Sequence, residues 1–246
     1  MRSKGLNSNV LKIIACICML IDHITYLWVP KYDPNGWMNV SVKFLVGRSI
    51  GRSAFMIFSF LLVEGFFKTK NRAKYIIRML VVALITEPIF DYMCGRLNRV
   101  SFYVLQNILF SFVLALAAMY VLEIIKKKYF IIANLKYNLF SVLVCIVAVT
   151  AAHFLRLDYG VVGIALILIF YFMRDMKRSY LVLMVILWTI GCLFLEYQLE
   201  WAGLIALIPI SMYNGERGSK NLKWFFYVFY PLHMLILGIF RWEILR

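Results

Sequence analysis

The sequence predicts an all-α, polytopic integral membrane bundle of about nine transmembrane helices, with the N-terminus inside and the C-terminus outside. Three observations predict it. The chain has 246 residues and is 63% hydrophobic, against about 45–50% apolar in soluble domains. Apolar runs recur along its whole length, and no connecting segment exceeds about 20 residues, too short for a separate core. Lys and Arg gather in alternate connections. We therefore expect residues 1–246 to form one transmembrane domain.

The runs lie at Val10–Trp28, Ile50–Phe67, Ile76–Tyr92, Phe102–Ile125, Leu139–Phe154, Tyr159–Met173, Tyr180–Leu195, Trp201–Met212 and Trp224–Phe240. The first has 19 residues, enough to cross a bilayer. It follows a basic N-terminus but is long for a signal-peptide core and has no A-x-A-like site after it, so it reads as a retained span. The eighth is short, and a tilted, broken or re-entrant path would accommodate it. With the N-terminus inside, two-thirds of the 27 basic residues fall on the inner side.

The net charge of +15 would point to nucleic acid in a soluble chain. Here it reads as orientation signals and anionic-lipid contacts, and no basic stripe lies outside the spans. The five cysteines form no CxxC pair, which argues against a disulfide framework or a metal site.

The most informative feature is Asp22-His23 inside the first run. Charge at membrane depth costs roughly 3 kcal/mol on insertion scales and more in simulations. The bland reading is a buried ion pair that fixes helix packing. The functional reading is a histidine general base, with the carboxylate orienting it. Adjacent helical residues point about 100° apart, so Asp22 has the alternative of meeting Arg48 or Arg52. These two lie at the outer entrance of the second run, one turn apart on one face. Glu87, Asp91, Gln106, Asn107, His153 and Tyr159 also fall in the outer half on this topology, so acids, bases and amides from several spans converge there. His233 lies near the midplane with Tyr230 about one turn before it. Each has a structural alternative: snorkelling for the arginines, an interhelical hydrogen bond for Asn107, and a carbonyl freed by Pro231 for His233. Gly47 and Gly51 form a GxxxG, a weak packing signal.

Several segments taken together resemble one family. They are Met19-Leu20-Ile21-Asp22-His23, Gly51-Arg52-Ser53-Ala54-Phe55-Met56-Ile57-Phe58, Asn107-Ile108-Leu109-Phe110, Tyr159-Gly160 with Gly163, and Phe229-Tyr230-Pro231-Leu232-His233. Their order and spacing resemble the TraX-like membrane proteins, named for the conjugative F-pilin acetylase. The family often reads GRxAFP where this chain has Met56 in place of the proline.

The resemblance implies a multi-pass acyltransferase of the bacterial cytoplasmic (inner) membrane. Its acyl donor would be acetyl-CoA. Its acceptor would be an amine or hydroxyl of an extracytoplasmic peptide or glycan. On that reading the catalytic residues are His23, Asp22 and Arg52, with His23 as base. Asn107, Arg48, Tyr159, Tyr230 and His233 contact the substrates, and Arg217, Lys220 and Lys223 meet the donor's phosphates. No metal and no nucleic acid is implied, and the bilayer is the remaining partner. A proton-coupled transporter or flippase is the alternative, because membrane acids and histidines also build proton relays; a non-catalytic scaffold is a third.

Overall fold

The computed structural model describes residues 5–32, 40–95, 105–129, 134–195, 199–218 and 222–244. They contain helices and isolated bridges but no strand. The helices are α1 (Ser8–Trp28), α2 (Val42–Lys68), α3 (Arg72–Cys94), α4 (Ile108–Tyr129), α5 (Asn134–Phe154), α6 (Gly160–Met173) and α7 (Arg178–Phe194). A 3₁₀ turn (Glu200–Ala206) runs into the short α8 (Leu207–Ser211), and α9 (Lys223–Ile244) follows. Five of them, α1, α2, α4, α5 and α9, are long and apolar enough to cross a membrane.

Local chemistry explains the ends. Asn7 caps α1 through its side-chain oxygen, which accepts from Asn9 N and Val10 N. Asn71 caps α3 by accepting from Lys74 N at 2.9 Å, and Asn107 accepts from Leu109 N at 3.0 Å at the start of α4. Each satisfies N–H groups that a helix start leaves orphaned. Gly95 closes α3 with φ +71°, a left-handed position that glycine adopts without a Cβ penalty.

Two boundaries differ from the sequence reading in ways that matter. Helix α2 begins at Val42 rather than Ile50, so Arg48 and Arg52 sit within the helix and not at its entrance. Within the helix Arg48 is paired with Asp22 of α1. Helix α4 begins at Ile108 rather than Phe102. Asn107 is therefore its cap, not a residue of its outer half, and Gln106 also precedes it; Phe102 lies outside the described residues. The eighth segment is broken: seven 3₁₀ residues and five α residues span roughly 20 Å, short of the ~30 Å hydrocarbon layer.

Packing centres on α2. Its membrane-length window is 61% buried, against 17% for α5. One buried apolar core includes Leu11, Ile57, Phe66, Leu116, Ile167, Val185 and Met234, drawn from α1, α2, α4, α6, α7 and α9. On α5, Leu139, Val142, Leu143, Ile146 and Val147 are exposed, the all-round apolarity of a helix that meets lipid.

The elements alternate between two ends. At one end Leu6 N donates to Met212 O, and Ser8 N donates to Glu216 O. There Lys68 pairs with Glu64 at 2.9 Å, Arg174 with Glu64 at 3.2 Å and Arg72 with Glu123 at 3.2 Å. Arg178 donates to the carbonyls of Ser211 and Tyr213. At the other end Gln106 N donates to Arg156 O and Arg241 reaches Met93 O. We call the first the basic end.

The tightest helix pair is α1 against α2, through the two glycines of the GxxxG. A Cβ on Gly47 would lie 2.0 Å from Thr25 Oγ1, and one on Gly51 would lie 1.9 Å from Asp22 Oδ1. Both are far inside contact distance. Gly51→Ala is thus expected to destabilise by about 1–3 kcal/mol, as overpacking does. By contrast, Gly191 in α7 has nothing within 4 Å of its built Cβ, and Gly191→Ala should hold or raise stability. Thermal melts of both variants in one detergent check the contrast.

Candidate functional site

Helix α1 presents Lys12, Cys16, Met19, His23 and Tyr26 to one cavity of about 570 Å³. The spacings from Lys12 of 4, 7, 11 and 14 residues keep these side chains on one face. Asp22 lies one position off that stripe and also reaches the cavity. Another wall is α2, through Gly51, Arg52, Phe55, Phe58, Leu62 and Gly65; α3 and α4, through residues such as Met79, Phe90 and Phe112, Phe229 and Tyr230 of α9, and Tyr159 of the turn before α6 also line it. The cavity runs from Lys12, Lys68, Arg78 and Arg217 at the basic end to the polar cluster at the other.

That cluster has two parts. The first is a pair of imidazoles. His23 Nδ1 lies 2.8 Å from His233 Nε2, and His233 Nδ1 lies 2.7 Å from the Phe229 carbonyl oxygen. The rings are within 2° of parallel, with centroids 5.0 Å apart. A carbonyl oxygen only accepts, so His233 Nδ1 carries a proton. With both rings neutral, His233 Nε2 is then an acceptor and His23 Nδ1 donates to it. The free lone pair of the dyad is left on His23 Nε2. A base held in one tautomer by a second oriented group is the arrangement that activates nucleophiles.

The second part is an ion-pair network. Asp22 Oδ2 accepts from Arg48 Nη1 at 2.5 Å, and Asp22 Oδ1 lies 3.8 Å from Arg52 Nη2. Arg52 Nη1 donates to Glu200 Oε1 at 2.9 Å. The Arg52 guanidinium lies 5.2 Å above the Tyr159 ring, and that ring stacks on Phe55 at 3.8 Å. Tyr159 is placed by a left-handed backbone, φ +58°. The 3₁₀ turn delivers Glu200 by packing Gly203 against α2, where a Cβ would stand 3.4 Å from Arg52 O.

Several assignments change on this geometry. The group that holds His23 is His233, not Asp22; Asp22 belongs to Arg48 and Arg52, as a residue one step round the helix allows. His233 is therefore not a spare ligand for a carbonyl freed by Pro231, because the carbonyl it takes is Phe229's. Asn107 is fully buried, and its side-chain nitrogen donates to Glu87 Oε2 at 2.5 Å and to Ala83 O at 3.0 Å. Its oxygen caps α4, so its polar atoms hold α3 to α4, and it does not line the cavity. Tyr159 and Tyr230 do line it, as do Arg48 and Arg217. Lys220 lies outside the described residues, as does the side chain of Lys223. His153 is exposed and packs edge-on against Phe154. Among the described residues, no three His, Cys, Asp or Glu side chains converge as a metal site.

The sequence reading missed Glu200. An acid just ahead of a short apolar segment looks like a loop residue. The available signal was the shortness of that segment together with Gly203, which lets its backbone approach another helix.

Fold and site together define a multi-pass membrane protein with a histidine dyad and an ion-pair network at the end of one cavity farthest from its basic mouth. The profile of the TraX protein family matches residues 7–241, and the chain belongs to that family. It is similar to the probable fimbrial assembly protein FimC, serogroup H1, of Dichelobacter nodosus. The two are 26% identical over 250 residues, covering 92% of each chain. No solved structure matches.

The dyad makes a spectroscopic prediction. Only three histidines occur, so ¹⁵N-histidine labelling resolves each ring. At neutral pH His23 and His233 are both expected as Nδ1–H tautomers. Finding Nε2–H on His233 would contradict the hydrogen bond to Phe229 O.

Proposed function

We propose that the protein is a membrane acetyltransferase. It takes the acetyl group of acetyl-CoA, entering from the basic end, and passes it to an amine or hydroxyl of an extracytoplasmic acceptor. On this reading the basic end faces the cytoplasm, as the positive-inside rule favours, residues 1–246 act as one domain, and the membrane is the bacterial cytoplasmic one. The observation that carries the reading is the oriented His23–His233 dyad at the far end of a cavity whose mouth is cationic. Membership of a family linked to pilin acetylation and a relative named for fimbrial assembly support it. A pilin-like peptide is accordingly one acceptor, and a surface glycan is another.

His23 Nε2 takes the proton as the acceptor nitrogen or oxygen attacks the thioester carbonyl. The new N–C or O–C bond forms, the C–S bond breaks, and the proton leaves with the thiolate or through His23. As His23 charges, His233 Nε2 continues to accept from His23 Nδ1–H, so the imidazolium keeps a partner without any ring turning. Arg52 places its guanidinium beside the dyad and on the Tyr159 face. Its Nε is buried without a partner, a donor available to the carbonyl oxygen as charge develops there. Asp22 and Glu200 fix that guanidinium in place.

A positioned base contributes about 10²–10⁴-fold. His23→Ala should therefore cut CoA release by at least 10²-fold in proteoliposomes supplied with acetyl-CoA and an envelope extract. Arg52→Lys should fail too, since a lysine cannot serve Glu200 and the oxyanion together. Retention of most activity by His23→Ala removes the base assignment. If the protein instead shows substrate-driven proton movement and neither binds nor uses acetyl-CoA, the transport reading takes its place.

A further inference from the structure

We propose that a second cavity, at the basic end between α2, α6, α7 and α8, holds one anionic phospholipid, with its phosphate at Arg174 and Arg178 and an acyl chain among the apolar side chains beneath them. This cavity has a volume of about 540 Å³ and shares Glu64 and Tyr213 as a wall with the larger one. The site stands independently of the transferase reading.

Its lining is graded in depth. On α2, Phe60 lies four residues from Glu64; on α6, Phe170 lies four from Arg174 at the helix end; on α7, Val182 lies four from Arg178. All six line the cavity. Four residues rise about 6 Å along a helix. On each element a charged group thus stands toward the basic end, with an apolar side chain about one turn deeper. Leu207 and Ser211 repeat the step on α8. The Phe60 ring packs edge-on against Phe170 at 5.7 Å and against Tyr213 at 5.4 Å, which ties α2 to both sides of the cavity. Two other lining residues, Met176 and Val182, are exposed, as are Tyr180, Leu183 and Ile186 of α7 and Ile208 of α8. The cavity therefore opens on the apolar outer surface of the bundle, the surface that meets lipid.

At the rim, positive charge exceeds its partners. Glu64 is the acid that lines this cavity, and it is shared by Lys68 at 2.9 Å and Arg174 at 3.2 Å. Asp175, the second acid on Arg174, is 77% exposed, so that pair is screened and weak. Arg178 has no acid partner among the described residues. Its Nη1 donates to Ser211 O, the last residue of α8, and its Nη2 to Tyr213 O at 3.3 Å. A cation there completes the helix terminus and still has N–H donors to spare. The guanidinium fork suits phosphate oxygens, and basic pockets between spans at the membrane surface bind anionic headgroups. A soluble phosphate matches only the arginines. A phospholipid matches the arginines and the apolar slot below them.

Delipidated full-length protein in detergent is titrated with phosphatidylglycerol or phosphatidylcholine of matched chains, and bound lipid is counted by native mass spectrometry. One phosphatidylglycerol should bind at least tenfold tighter than phosphatidylcholine, and glycerol 3-phosphate should not displace it. Arg178→Gln keeps an amide donor for the α8 carbonyls; it should weaken phosphatidylglycerol at least tenfold and remove most of the preference. Val182→Trp fills the chain slot with the charge intact and should weaken both lipids; it carries the test if Arg178→Gln does not fold. Lys136→Gln, in the first turn of α5 and outside the cavity lining, should change neither. The proposal is overturned if wild type binds the two lipids equally, if Arg178→Gln keeps the wild-type preference, or if Val182→Trp binds both lipids as wild type does. It is also overturned if Lys136→Gln costs as much as Arg178→Gln, which makes the preference a property of the whole basic face. Displacement of the lipid by glycerol 3-phosphate overturns it too and makes the site one for soluble phosphates.

Discussion

The close approach of α1 and α2 at Gly47 and Gly51 is the constraint on which the site depends. With no side chain at either glycine, Thr25 and Asp22 of α1 lie directly on the α2 backbone. That places the Asp22 carboxylate beside Arg48 and Arg52, which flank Gly51 on the sequence of α2. A wider helix separation would leave Asp22 and Arg48 without each other in an apolar bundle. The effective penalty for each buried ion is several kcal/mol even after relaxation, so the glycines and the charges are one device: the small residues permit the pairing, and the pairing permits arginines inside α2.

The charge balance separates the ion pairs from the imidazoles. Arg48 and Arg52 pair with Asp22 and Glu200 across α1, α2 and the 3₁₀ turn, and a third carboxylate, Asp158, lines the same cavity and accepts from Tyr159 N at 3.0 Å. Neutralising any one of them leaves its partner uncompensated, which is costlier than the pair is worth. The network is therefore locked, and its members serve as fixed charges. The imidazoles stand outside that balance. They are bonded to each other and to a backbone carbonyl rather than to any of these charges.

The sequence carried the fold class because hydrophobicity and basic loops are local properties, legible in any window. It carried most of the cluster for the same reason: a charged or imidazole side chain in an apolar run is visible without a structure. Pairings were not legible. Nothing in the order of residues says that His23 meets His233, 210 positions away, or that Asp22 turns from its neighbour toward Arg48. Boundaries failed where a charge had a hidden partner. Arg48 looked like the edge of a span because its carboxylate lies on another helix, and Asn107 looked like an interior amide because its service to Glu87 and to the start of α4 depends on tertiary contact. Glu200 went unseen because 3₁₀ geometry in an interrupted segment has no strong sequence signature.

The locked network also bears on the choice between chemistry and transport. Alternating access requires one set of elements to rock against another around a binding site. Here the hydrogen-bonded pairs Arg48–Asp22 and Arg52–Glu200 tie α1, α2 and the 3₁₀ turn together at the cluster itself, and the glycine contact removes the slack that sliding would need. Rocking of these elements against one another would break largely buried ion pairs. A cavity with one committed wall, one oriented base and a mouth at the opposite end favours a reaction carried out in place.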